Sequence, residues 1–89
     1  MYIICHSEDN YLTGEEHEMI EMEKVGEYEN EQDAKDAMKV FLKEEADLYR
    51  NDPNYYIKYE DYFMNELLVH DSYGGFIGHS WCIRRKWQV

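Results

Sequence analysis

The chain has 89 residues, 44 % hydrophobic and 16 % aromatic, with twenty Asp and Glu against nine Lys and Arg for a net charge of -11. That length fits a single domain over 1–89, and the apolar content excludes a disordered acidic tail. Ordinary solubility asks for a net charge of only about 2 to 8 in magnitude, so the excess calls for a reason beyond solubility.

The charge is uneven along the chain. Residues 1–33 hold eleven acids and one base, Lys24, whereas residues 72–89 hold no acid and three bases, Arg84, Arg85 and Lys86. A surface so negative disfavours anionic membranes and nucleic acid as direct partners. No stretch approaches the ~18 apolar residues of a membrane span. The opening MYIICHSEDN lacks a basic region ahead of its short apolar run and does not read as a signal peptide. Cys5 and Cys82 make no disulfide framework, so the expected location is the cytoplasm, with reduced thiols.

In chain order, Tyr2-Ile3-Ile4-Cys5 reads as a first strand, and Ser7 to Glu16, with Asp9, Asn10 and Gly14, as a loop. Glu18 to Tyr28 reads as a second strand with Ile20 and Met22 on one face, Glu21 and Glu23 on the other, and Gly26 marking a bulge. A helix is predicted over 31–50. Asn30 is its N-cap, Glu31 and Asp33 suit the positive end of its dipole, and Arg50 suits the negative end. Ala34, Ala37, Met38, Phe41, Leu42, Leu48 and Tyr49 recur at helical spacing, and Lys35, Lys39 and Lys43 line a solvent side.

Tyr55 to Tyr59 reads as a strand with Tyr55, Ile57 and Tyr59 on one face. Residues 60–69 fit either a short helix, pairing Phe63 with Leu67 and Met64 with Leu68, or a strand through Leu67-Leu68-Val69. Asp71 to Gly78 reads as a turn. Ser80 to Val89 alternates as a strand, and Arg85, out of pattern, places it at a sheet edge. The expected fold class is therefore α+β: a small antiparallel sheet with one main helix on one face, in the order β-β-α-β-(α or β)-β.

Chemistry-bearing residues are sparse. Cys5-His6 and His79-x-x-Cys82 would meet if the terminal strands pair, and thiolate with imidazole is zinc chemistry. Neighbours on a strand point to opposite faces, however, so Cys5 and His6 do not both ligate, and a Cys among apolar neighbours is ordinarily a small buried hydrophobe. No recognised motif surrounds Cys82 as a nucleophile, and with twenty acids any carboxylate spacing arises by chance. No metal, cofactor or catalytic residue is expected, and the protein is expected not to be an enzyme.

The acids and tyrosines carry the functional expectation. Glu15, Glu16, Glu18, Glu21, Glu23, Glu27 and Glu29 crowd one strand and its flanks, where Glu is a poor strand former. Glu21 and Glu23 on one strand face stand ~6.6 Å apart, the start of a regular row of anions. Tyr55, Tyr56, Tyr59 and Tyr62 crowd a second segment, where Tyr56 and Tyr62 are the expected exposed anchors. A solvated acidic face and ordinary tyrosine packing are the bland alternatives.

In length, charge, the acids just named together with Glu31, and the interleaved tyrosines, the chain resembles the small acidic phage-encoded DNA mimics that inhibit host DNA-binding proteins. The resemblance is compositional, and the class shares no single fold. It implies a non-enzymatic inhibitor in the host cytoplasm. Such an inhibitor occupies the nucleic-acid surface of a basic partner: a nucleoid protein of the HU type, a CRISPR or restriction nuclease, or a polymerase. Homodimerisation would extend the negative surface. The alternatives are an interaction module using the tyrosine surface or the edge of the last strand, and a small zinc or Cys/His protein.

Overall fold

The computed structural model describes residues 1–11 and 18–85, with 11 and 18–22 described by backbone alone. Five strands and one helix follow in the order β1 (Tyr2–Tyr11), β2 (Glu18–Tyr28), α1 (Glu31–Arg50), β3 (Tyr55–Asp61), β4 (Glu66–Asp71) and β5 (Phe76–Arg85). The strands form one antiparallel sheet in the order β2-β1-β5-β4-β3, and α1 crosses one of its faces.

Helix α1 spans the residues its capping signals mark. The Asn30 side chain accepts from the backbone N–H groups of Gln32 and Asp33, at 2.8 and 3.3 Å. Glu31 and Lys35 pair across one turn at 3.5 Å. Ala34, Met38, Leu42 and Ala46 form its buried line, set against Ile4 of β1, Leu67 and Val69 of β4 and Trp81 of β5. Burial of each larger side chain stabilises the fold by roughly 1.5–3 kcal/mol. Leu48, expected in the apolar stripe, is exposed, and Ala46 takes its place in the core.

The expected fold class is corrected, because sheet predominates over helix: among the described residues five strands accompany a single helix. Three segments account for this. Ser7 to Asn10, expected as a loop, continue β1, because both edges of that strand are paired and its backbone groups are satisfied despite polar side chains. Residues 66–71 are the strand β4, with neighbours on both sides. The turn expected to reach Gly78 ends earlier, at the start of β5.

Short polar side chains make the two tight turns. Asp61 Oδ1 accepts from the N–H groups of Phe63 and Met64 at 3.0 and 2.9 Å, and Asn65 takes a left-handed φ of 57°. Asp71 Oδ1 accepts from Tyr73 and Gly75 at 2.9 and 2.8 Å, and Gly74 supplies a φ of 90°.

The last strand is also corrected. β5 lies inside the sheet, between β1 and β4, over Phe76 to Ser80, and beyond Ser80 it runs on to Arg85 paired with β1. Residues 86–89, expected as its continuation, lie outside the described residues, as do 12–16 of the expected loop. Tyr59 leaves the face of Tyr55 and Ile57. The register shifts between Ile57 and Tyr59, which sets Tyr59 opposite Leu68. No described helix is long and apolar enough to cross a membrane.

Candidate functional site

A polar cluster lies where α1 crosses β1 and β5. Strand alternation puts Ile4, His6, Glu8 and Asn10 of β1 on the helix-covered face. Pairing of His6 with Trp81 and of Glu8 with His79 adds the β5 side chains to the same face. From α1, Glu45 and Tyr49, one turn apart, point down beside the buried line. His79 is only 2 % exposed and sits at the centre.

Its ring is held on both sides. His79 Nδ1 lies 2.9 Å from His6 Nε2, and His79 Nε2 lies 2.9 Å from the Tyr49 hydroxyl. Glu8 and Glu45 each bring a carboxylate oxygen near Nε2, at 3.4 and 3.5 Å. Behind His6, its Nδ1 lies 3.5 Å from Glu23 of β2. Trp81 stacks on both imidazoles, with centroids 4.9 Å from His6 and 5.9 Å from His79. Asn10 donates to the other Glu8 oxygen at 3.2 Å, while its own Oδ1 is buried without a hydrogen-bond partner among the described residues.

Burial sets the protonation states. Desolvation, and then the neighbouring His6, pull the His79 pKa down to about 4, so its imidazole is neutral at physiological pH. Desolvation raises the Glu45 pKa above its ordinary value, against the pull of His6. The Tyr49 hydroxyl is also raised, first by burial and then by Glu45 and Glu8. Beside this cluster lies a cavity of about 460 Å³, with His6, Glu23 and Glu45 among its polar lining and Val25, Phe41, Leu48 and Trp81 as apolar walls. A concave apolar site with convergent polar groups of shifted pKa is the usual form of a ligand site.

The Cys/His arrangement weighed from the sequence is resolved by this geometry. The terminal strands do pair, and His6 meets His79. Cys5 and Cys82 face each other on the opposite side of the sheet, so thiols and imidazoles do not converge. Glu8, Glu45 and Tyr49 were missed as site residues. The available signal was Glu45 itself, an acid set among Phe41, Leu42, Ala46 and Tyr49 on the apolar side of the helix.

The expected acidic row is broken. Ile4 pairs with Gly26 and Cys5 with Lys24, so Val25 is an extra residue that bulges β2. Glu23 and Glu27, four residues apart, therefore point to opposite faces. Glu23 leans over the cavity at His6, and Glu27 binds Lys24 at 2.7 Å on the uncovered face. Glu29 is exposed ahead of the helix. Glu18 and Glu21 lie in β2 but their side chains are outside the described residues, as are Glu15 and Glu16 altogether.

The tyrosines lie elsewhere. β2 and β3 are the two edges of the sheet, four strand spacings or ~19 Å apart. Tyr56 is exposed on β3 and stacks on His70 with centroids 5.2 Å apart. Tyr62 stands in the β3–β4 turn and donates to Glu60 at 2.7 Å. The acids of β2 and the tyrosines of β3 are thus two separate surfaces. Set against family models, curated proteins and solved structures, the chain matches none.

Proposed function

We propose that this chain is a non-enzymatic binding protein whose partner presents a basic surface, and that it works as a DNA mimic, competing with nucleic acid for that surface. The carrying observation is the net charge of -11 on 89 residues. The described acids add to it where they are accessible: Glu23, 63 % exposed, at the edge strand β2, then Glu29, Glu31, Asp33 and Asp36 on the following segment and helix. These groups make up an anionic rim that Lys24 and Lys35 interrupt, rather than the straight row of a phosphate backbone. An anionic rim of this kind steers association and gives an affinity that falls steeply with salt.

The test is affinity capture from nuclease-treated bacterial lysate, with elution by a salt gradient and competition by duplex DNA. Retention of a DNA-binding protein that DNA displaces supports the reading. Non-selective elution of many basic proteins at low salt refutes it. A second variant test follows from the geometry: replacing Glu23, Glu29 and Glu31 together by Gln should weaken capture at least tenfold while preserving the fold.

A second reading rests on the β3–β4 turn. Phe63 is 90 % exposed and stands between Tyr62 and the exposed Met64. An apolar tip of this kind fits a protein-interaction anchor. Capture that survives high salt and is lost on Phe63→Ala would favour this surface over the acids.

A further inference from the structure

We propose that Glu8, Glu45 and His79 form a binding site for one divalent transition-metal ion of the zinc type, which ties helix α1 to the centre of the sheet. The three residues come from β1, α1 and β5. Their donor atoms lie within 4.8 Å of one another. His79 Nε2 stands 3.4 Å from a Glu8 oxygen and 3.5 Å from a Glu45 oxygen. Metal–ligand bonds of ~2.1 Å in a tetrahedron place ligand atoms ~3.4 Å apart, so both edges from the imidazole already have the required length. Imidazole with two carboxylates is a donor set suited to zinc and neighbouring divalent ions.

The surroundings point the same way. Two half-buried carboxyl groups converge on one imidazole, and among the described residues no Lys or Arg pairs with either. A cation between them removes that imbalance. Metal-bound histidines ordinarily donate their second N–H to a fixed acceptor. Here His79 Nδ1 meets His6 Nε2, and His6 Nδ1 in turn faces Glu23, a relay that leaves the Nε2 lone pair toward Glu8 and Glu45. Asn10 adds an independent sign. It holds Glu8 through its amide nitrogen, while its buried Oδ1 has no hydrogen-bond partner among the described residues. The cavity lined by His6 and Glu45 reaches one of the three proposed ligands, Glu45. The Tyr49 hydroxyl, at 2.9 Å from Nε2, occupies the lone pair when no metal is bound and must swing toward a carboxylate when one enters.

The site stands apart from the partner proposal and is tested on the protein alone. Chelator-treated protein is titrated with zinc chloride by calorimetry, and thermal unfolding is followed with and without the ion. The expected result is saturation at one zinc per chain, with a melting temperature raised on the order of 10 °C at a hundredfold excess over the dissociation constant. Glu8→Gln and Glu45→Gln, which keep side-chain shape, should each weaken binding at least tenfold with the circular dichroism spectrum unchanged. The proposal fails if zinc binding does not saturate, or if the two Gln variants bind as the parent does, which would assign the ion to the general acidic surface.

Discussion

His6 and His79, 73 residues apart in the chain, lie edge to edge with nearly parallel rings, centroids 5.1 Å apart and a 2.9 Å contact between His6 Nε2 and His79 Nδ1. Only one hydrogen fits between those two nitrogens. The pair therefore does not tolerate a charge on both rings, and the buried member is the one held neutral.

This arrangement makes the protein acid-labile. The His79 pKa falls from an ordinary 6.5 when unfolded to about 4 when folded. Between those values the unfolded chain binds more protons than the native one, so stability drops as pH falls from 6.5 toward 4. The full effect is about 3 kcal/mol. Glu45, with a raised pKa, acts in the opposite direction, since its native form gains a proton sooner than the unfolded chain. Urea unfolding at pH 7, 6 and 5 should show a declining midpoint, with a shallower decline in His79→Asn. Equal slopes for the two proteins would remove His79 as the cause.

Leu42 and Leu48 both belong to the apolar pattern of the helix, yet only Leu42 is fully buried. Leu42→Ala should cost about 2–5 kcal/mol by leaving a cavity between helix and sheet. Leu48→Ala should stay within about 0.5 kcal/mol. Chemical denaturation of both variants checks this, and comparable losses would contradict the packing described.

The Asn30 cap is a third case. Its side chain is the acceptor for two backbone donors of the first turn. Asn30→Ala should lower unfolding free energy by about 1 kcal/mol, whereas Asn30→Asp, which keeps the acceptor, should be close to neutral. Thermal melts of the two variants decide the point.

Asn65 closes the β3–β4 turn with a φ of 57°. A β-branched residue is strained there, so Asn65→Val should destabilise by roughly 1–2 kcal/mol, while Asn65→Gly should be tolerated. Equal melting temperatures for the Val and Gly variants would show that the turn relaxes to another conformation.

The helix was legible in the sequence because its signals are local. Asn30, the acids of the first turn, Arg50 and the 3.6-residue apolar spacing all act within a few residues of one another. The terminal strands were legible as strands for the same reason, and the meeting of His6 with His79 needed only the condition that they pair. Sequence also determined the sign and excess of the charge, which no folding alters.

Tertiary structure decided what depends on neighbours. Ser7 to Asn10 became strand because strands on both sides satisfy their backbone, which outweighs their weak propensity. A single extra residue at Val25 sent Glu23 and Glu27 to opposite faces, because side-chain direction alternates with a period of two. Strand order placed the acids and the tyrosines on opposite edges of the sheet and put β5 in the middle. The convergence of Glu8, Glu45, Tyr49 and His79 joins three elements far apart in sequence, and only the crossing of α1 over β1 and β5 brings their polar atoms within reach of one another.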